Sequence, residues 1–236
     1  MRFEEKKSSV DLVEDALIEY IITNDLKAGD RLPNGKELCV LLNVSLGTLR
    51  EGIQRLAVRN VLEVRRSVGV FVSPKNGTSD DPLGFSLVRD RTKLIQDLAD
   101  FRLVIEPRAA AMAAQNATKE DIAELEYLCS AVNEKLFCDE PHVKEDSAFH
   151  SCIARCSGNL VFARISPLLR DTIEEYSKEN PYKNFSREVA NFHRAILDAI
   201  MRHDSIAASD AMYYHLLFSR DLRGGQHILG RFQQLK

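Results

Sequence analysis

The sequence predicts a mostly α-helical chain in two parts, an N-terminal winged helix-turn-helix followed by a C-terminal antiparallel all-helical bundle. Three observations carry that prediction. Up to residue 72 the patterns run helix, helix, tight turn, helix, hairpin. The stretch Ser73-Pro-Lys-Asn-Gly-Thr-Ser-Asp-Asp-Pro82 then gathers turn formers and polar residues and reads as a linker. Beyond it, helical patterns follow one another with short connections and almost no strand signal, as in an antiparallel bundle. The expected division is 1–74 for the first unit, 75–91 for a linker with a short helix, and 92–236 for the helical unit.

In the first unit, Ser9 or Asp11 can cap a helix whose apolar residues Leu12, Val13, Ala16, Leu17, Tyr20 and Ile21 recur at helical spacing. Ala28-Gly29-Asp30 stops it. Leu32-Pro33-Asn34 restarts a short helix, with Asn34 as its cap and Leu38, Leu41 and Leu42 turned inward. Asn43-Val44-Ser45 forms a tight turn. Ser45 then opens a third helix, Leu46 to Arg59, which buries Leu49, Ile53 and Leu56. The β-branched segments Val61–Arg65 and Gly69–Val72 flank Arg66-Ser67-Val68 and predict a small hairpin.

In the second unit, helical patterns cover about 92–115, 119–137, 142–156, 160–179, 186–202 and 205–222, with turns at 116–118, 157–159 and 203–205. Thr118 followed by Asp121 resembles a capping box. Pro107 inside the first long helix is expected to kink it. Phe149, Phe162, Phe192 and Tyr213 fall at packing positions. Cys39, Cys129, Cys152 and Cys156 read as buried thiols.

Composition narrows the class. A chain of 236 residues that is 44% hydrophobic can fill two cores. It contains no apolar run of the length a membrane span needs, and its charged start, Met1 to Lys7, lacks the apolar stretch of a leader peptide. Five cysteines do not form an even disulfide framework. A cytoplasmic protein with no membrane partner is expected. No HExxH, nucleophile elbow or P-loop appears, so no catalytic set is read.

The net charge of −3 conceals an uneven distribution. Residues 1–26 hold three basic and seven acidic side chains, a balance of −4, whereas residues 27–76 hold nine basic and four acidic, a balance of +5. A basic segment inside an acidic chain suits a small polyanion-binding module, and equally a solvated helix face. A recognition helix presents polar side chains at its N-terminal end, where base edges lie closest. Ser45, Gly47, Thr48 and Arg50 occupy that end of the third helix, and Arg50 can reach a guanine or a phosphate. Lys36 on the preceding helix, with Arg65, Arg66 and Ser67 on the hairpin, would follow the backbone on either side.

All six histidines lie beyond the linker. Asp146 and His150 are four apart, hence on one helix face. His193 and His215 each lie 11 residues from Asp204, so an antiparallel hairpin turning there brings both imidazoles to one level. Three imidazoles and a carboxylate form a plausible divalent-metal site; separate, hydrogen-bonded core histidines are the alternative. His142, His203 and His227 are expected at the surface.

These blocks resemble a known family. Ala28 to Leu38, Val44 to Ile53 and Asn60 to Val72 are similar to the winged-helix domain of GntR-family bacterial transcription regulators. Phe101-Arg-Leu-Val-Ile-Glu106, Asp146-Ser-Ala-Phe-His150, Ser157-Gly-Asn159, His193 to Ile200 and His215-Leu216 resemble the FCD ligand-sensing domain of its FadR subfamily. The resemblance runs from residue 11 to about 222. It implies that Lys36, Thr48, Arg50 and the wing around Ser67 contact an operator. It further implies that Asp146, His150, His193 and His215 hold a metal, zinc or nickel, and that Arg102 clamps a small carboxylate effector. The alternative for Arg102 is an i,i+4 pair with Glu106. Asn159 is a further effector candidate, or else a helix cap.

Two departures stand out: Leu46 and Ser67 occupy positions where the family usually has Arg and Gly. The function implied is a homodimeric regulator, in the usual case a repressor, of a two-fold operator, responding to a small acid such as a sugar acid or hydroxy acid. Two other readings stay open. One is a metal-dependent hydrolase, suggested by the dipeptide His203-Asp204; the other is a DNA-binding regulator with a purely structural metal and no effector.

Overall fold

The computed structural model describes residues 7–75, 77–79, 81–176 and 185–223. The chain divides into two compact units, Met1–Val88 and Arg89–Lys236.

The first unit opens with α1 (Ser9–Thr23), α2 (Gly35–Leu42) and α3 (Leu46–Val58). Ser8, not Ser9 or Asp11, caps α1. Its hydroxyl accepts from Asp11 N, and the Asp11 carboxylate accepts from Ser8 N at 2.8 Å in a reciprocal capping box. Asn34 caps α2 in the same way with Glu37, and Asn43 at φ 52° ends it in the left-handed conformation that Asn tolerates. Val13, Leu17, Leu32, Leu38, Leu49, Leu56 and Leu62 fill the core between the helices. Leu41, expected inward, is 56% exposed, and Leu38 holds the inward position on α2. Cys39 is half-buried at the edge of that core.

Strands β1 (Leu62–Arg65) and β2 (Gly69–Val72) pair antiparallel, Leu62 opposite Val72 and Arg65 opposite Gly69. The wing has a third edge that the sequence did not reveal. Leu32 N donates to Val70 O, and Gly29 N to Val72 O, each at 2.9 Å, while Arg31 bridges Phe71. The segment between the stop of α1 and the start of α2 therefore also closes the sheet. At the tip, Ser67 has φ 59°, a conformation that favours glycine.

The second unit contains α4 (Arg91–Asn116), α5 (Lys119–Phe137), α6 (Val143–Cys156), α7 (Leu160–Tyr176), α8 (Ser186–Met201) and α9 (Ser205–Arg223). The Thr118–Asp121 capping box starts α5. Helix α4 remains one helix through Pro107, which removes an N–H from the turn that carries Leu103. An alanine stripe on α4 (Ala110, Ala113, Ala114) lets neighbouring helices approach closely. It shares a core with Leu125, Phe149, Ile153, Ile196, Ile200 and Met212. Cys129, Cys152 and Cys156 are buried there, whereas Tyr213 faces outward. Among the described residues, no helix is long and apolar enough to cross a membrane.

Candidate metal centre and nucleic-acid interface

Most of the second unit's helices turn a polar side chain into its interior. Asp146 and His150 lie one turn apart on the buried face of α6. His193 on α8 and His215 on α9 stand level across the hairpin, ring centroids 4.7 Å apart. All four are buried, and one ligand atom from each lies within 4.8 Å of the others. His150 Nε2 is 3.1 Å from His215 Nε2, and Asp146 Oδ1 is 3.1 Å from His193 Nε2 and 3.8 Å from His150 Nε2.

Two further side chains orient this group. Glu106 Oε2 accepts a hydrogen bond from His150 Nδ1 at 2.7 Å, which assigns the proton to Nδ1 and turns a bare Nε2 lone pair toward the other imidazoles. The same carboxylate accepts from Arg102 Nε at 2.5 Å and Nη2 at 3.3 Å. Arg170 on α7 holds Asp146 Oδ2, which leaves Oδ1 facing the histidines. His193 Nδ1 lies 3.3 Å from Asn133 Oδ1.

Burial disfavours every charge here, and the partners decide which survive. Desolvation would raise Glu106, but Arg102 and then His150 more than offset it and hold the carboxyl well below its usual value. Burial lowers His150 despite the opposing pull of Glu106. His193 is pushed well below the ordinary imidazole range by burial, then by His150 and Arg170. His215 is pushed well below it by burial, then by His193 and His150. The imidazoles are thus neutral bases with lone pairs available.

This donor set fits a divalent transition metal. His193 Nε2 is buried and makes no hydrogen bond, although Asp146 Oδ1 is near, and His215 Nδ1 is likewise unpartnered among the described residues. A nitrogen that neither donates nor accepts, deep in a protein, is costly unless something completes it. Metal–ligand bonds of about 2.0–2.2 Å need donors that converge in this way.

Other expected residues fall elsewhere. Asn159 is a helix cap and not an effector contact in this arrangement, its Oδ1 accepting from Val161 N at 2.8 Å and Phe162 N at 3.3 Å at the start of α7. Arg102 does pair with Glu106, so that alternative also holds. His142, expected at the surface, is 3% exposed, with its Nδ1 3.1 Å from Glu140 O. His203 lies in the α8–α9 turn at φ 56° with Nδ1 2.8 Å from Ala114 O, and Asp204 caps α9 through Ala207 N. The dipeptide His203-Asp204 is therefore a turn and a cap. His227 lies outside the described residues. Glu106 and Arg170 are the residues missed. Each sits on a stripe of buried positions, Arg170 beside Leu169 and one turn from Ser166 and Ile173, and a charge in such a stripe was the available signal.

In the first unit, the surplus cations separate into two sets. Arg55 pairs with Asp11, Glu14 and Glu51, and Arg59 with Glu14 at 2.7 Å, so the acidic α1 neutralises one end of α3. Lys36, Arg50 and Arg66 are exposed and make no ion pair among the described residues. Ser45 caps α3 through Thr48 N, and its hydroxyl lies 2.8 Å from that of Thr48. Arg65 is pre-set by a two-point pair with Glu63, both contacts 3.0 Å, and by stacking 4.2 Å over the Phe71 ring.

A winged helix-turn-helix with cations on its recognition helix and wing, in one chain with a helical sensor-like unit, defines a DNA-binding transcription regulator. Comparison with known proteins gives the family. Residues 10–72 match the model described as bacterial regulatory proteins, gntR family, and residues 97–218 match the FCD domain. The solved structure of Streptococcus agalactiae GntR is 35% identical, covers 89% of this chain and 98% of its own, and superposes with a TM-score of 0.83. The galactonate operon transcriptional repressor of Escherichia coli is 28% identical over 86% of this chain and 92% of its own. The Glc operon transcriptional activator of the same organism is 26% identical over 88% and 87%. The chain belongs to the GntR family, in its FadR-like, FCD-containing branch.

Proposed function

We propose that the protein is a cytoplasmic, homodimeric repressor that leaves its operator when a small carboxylate, such as a sugar acid or hydroxy acid, binds beside a divalent metal. The observation that carries this reading is the buried convergence of Asp146, His150, His193 and His215. These four would hold the ion, zinc or nickel, which would supply a cationic anchor for an effector oxygen. Glu106 takes the Nε–Nη2 edge of Arg102. A carboxylate effector would meet that guanidinium beside the ion. Arg170 steadies Asp146 from the opposite oxygen. The name of the galactonate operon repressor supports the class of acid, and the relatives include a repressor and an activator.

On the DNA side, Arg50 contacts a guanine or a phosphate, with Ser45 and Thr48 beside it. Lys36, Arg65, Arg66 and Ser67 grip the backbone of each half of a two-fold site. Effector binding shifts the dimer away from the form that holds the operator.

Metal analysis of protein purified without chelator, wild type beside His193→Ala/His215→Ala, tests the centre; equal metal in both overturns it. A panel of sugar acids and hydroxy acids, read by thermal shift and by operator release, tests the effector. A selective ligand that weakens DNA binding is expected. One that tightens it overturns the repressor assignment, and silence across the panel leaves a structural metal only.

A further inference from the structure

Leu46 is the first residue of α3 and is 44% exposed, an apolar side chain at the end of the helix where base edges are read. The inward face of α3 is complete without it, since Leu49, Gly52, Ile53 and Leu56 are the buried positions. Its Cδ1 leans toward Gly35 at the start of α2, 3.6 Å from where a Cβ there would stand, which steadies the side chain while leaving it in solvent. Arg50 follows one turn later on the same face, also exposed and with no ion pair among the described residues. Gly47, beside Leu46, projects no side chain between the helix and a groove.

We infer that Leu46 reads the C5-methyl group of a thymine in each operator half-site. The inference rests on the contact set proposed above. In the major groove only thymine offers an apolar group, and an aliphatic side chain there gains by covering it while leaving polar base edges unsatisfied elsewhere. Four residues of helix advance about 6 Å, which corresponds to one or two base steps of roughly 3.4 Å. The thymine therefore lies one or two base pairs from the pair that Arg50 contacts. Leu46 thus makes this regulator's preferred sequence differ from that of a relative carrying a cation at the same position.

Full-length protein is first used to enrich duplexes from a random-sequence library, and the most enriched duplex serves as probe. Each thymine is then replaced by uracil, which removes only the methyl group. For wild-type protein one thymine per half-site should stand out, losing roughly four-fold in affinity when its methyl is removed. Leu46→Ala should bind thymine and uracil probes equally, and Leu46→Arg should select a different base there. Folding is monitored by the melting temperature of each variant, and the exposed position predicts no change. Enrichment with no uracil effect that depends on Leu46 overturns this inference alone. Failure to enrich any duplex overturns the proposed contact set with it.

Discussion

Replacing Glu106 by Gln tests the centre at its most connected residue. The carboxylate accepts from His150 Nδ1 at 2.7 Å and from Arg102 at 2.5 and 3.3 Å, and it is 3% exposed. Gln keeps the shape but offers one acceptor oxygen, so its amide N–H₂ must face a donor. Arg102, with a side chain 8% exposed, loses its buried counter-charge. Breaking a buried pair from one side costs about 3–5 kcal/mol. At about 2–4 °C per kcal/mol for a unit of this size, melting in chelator should fall by roughly 6–20 °C. Exchanging the carboxylate that orients His150 and raises its basicity for a neutral amide should separately weaken zinc binding about 10–100-fold, measured by competition with a chromophoric chelator. The two effects can be split. Glu106→Gln/Arg102→Met removes the guanidinium together with its carboxylate and should recover most of the stability, while zinc affinity stays low. Unchanged zinc affinity in the single variant would refute the orienting role of Glu106. A double variant no more stable than the single one would refute the charge argument.

Two other outcomes follow from the geometry. His193 and His215 have pKa values well below the ordinary 6.5, so in that window the unfolded chain binds more protons than the folded one. Stability of the metal-free protein should accordingly rise with pH up to about 6.5 and fall below it. The slope is up to about 3 kcal/mol per pH unit for the pair, and urea titrations at several pH values that show a flat profile would contradict it. At Gly52, an added Cβ would stand 2.7 Å from Val13 Cγ1 and 3.3 Å from Val13 Cβ, across the α1–α3 contact. Gly52→Ala should lose about 1 kcal/mol net, the overpacking outweighing the better helix propensity; a higher melting temperature would show that α1 yields freely.

Much of this was legible in the chain itself, for identifiable reasons. Helix bounds in the second unit followed from repeated apolar spacing closed by polar turns, as at Thr118 and Asp121. The level placement of His193 and His215 needed only a helix rise and a known turn. What stayed hidden depends on three-dimensional neighbours. A single charge on an apolar stripe, such as Glu106 or Arg170, reads the same in sequence whether it meets water or a buried partner. The strand edge at residues 29–32 has no β-branched pattern, because its backbone pairs with β2 while its side chains are those of a turn. His142 lies just ahead of α6, at a helix boundary, where burial follows from tertiary packing and periodicity is silent.

The pairing of α1 with α3 has a consequence for how this protein should respond to ionic strength. A duplex releases condensed counterions only where its phosphates meet protein charge that is still unneutralised. Arg55 and Arg59 already have carboxylates from Asp11 and Glu14 beside them. Of the cations proposed to meet the duplex, Lys36, Arg50 and Arg66 make no ion pair among the described residues. With about 0.9 ions released per phosphate contacted, the logarithm of affinity should fall by roughly 2 to 3 per decade of salt for each protomer. That is shallower than the nine cations of residues 27–76 would suggest. A larger share of the affinity must then come from contacts to the bases themselves, which salt does not erode.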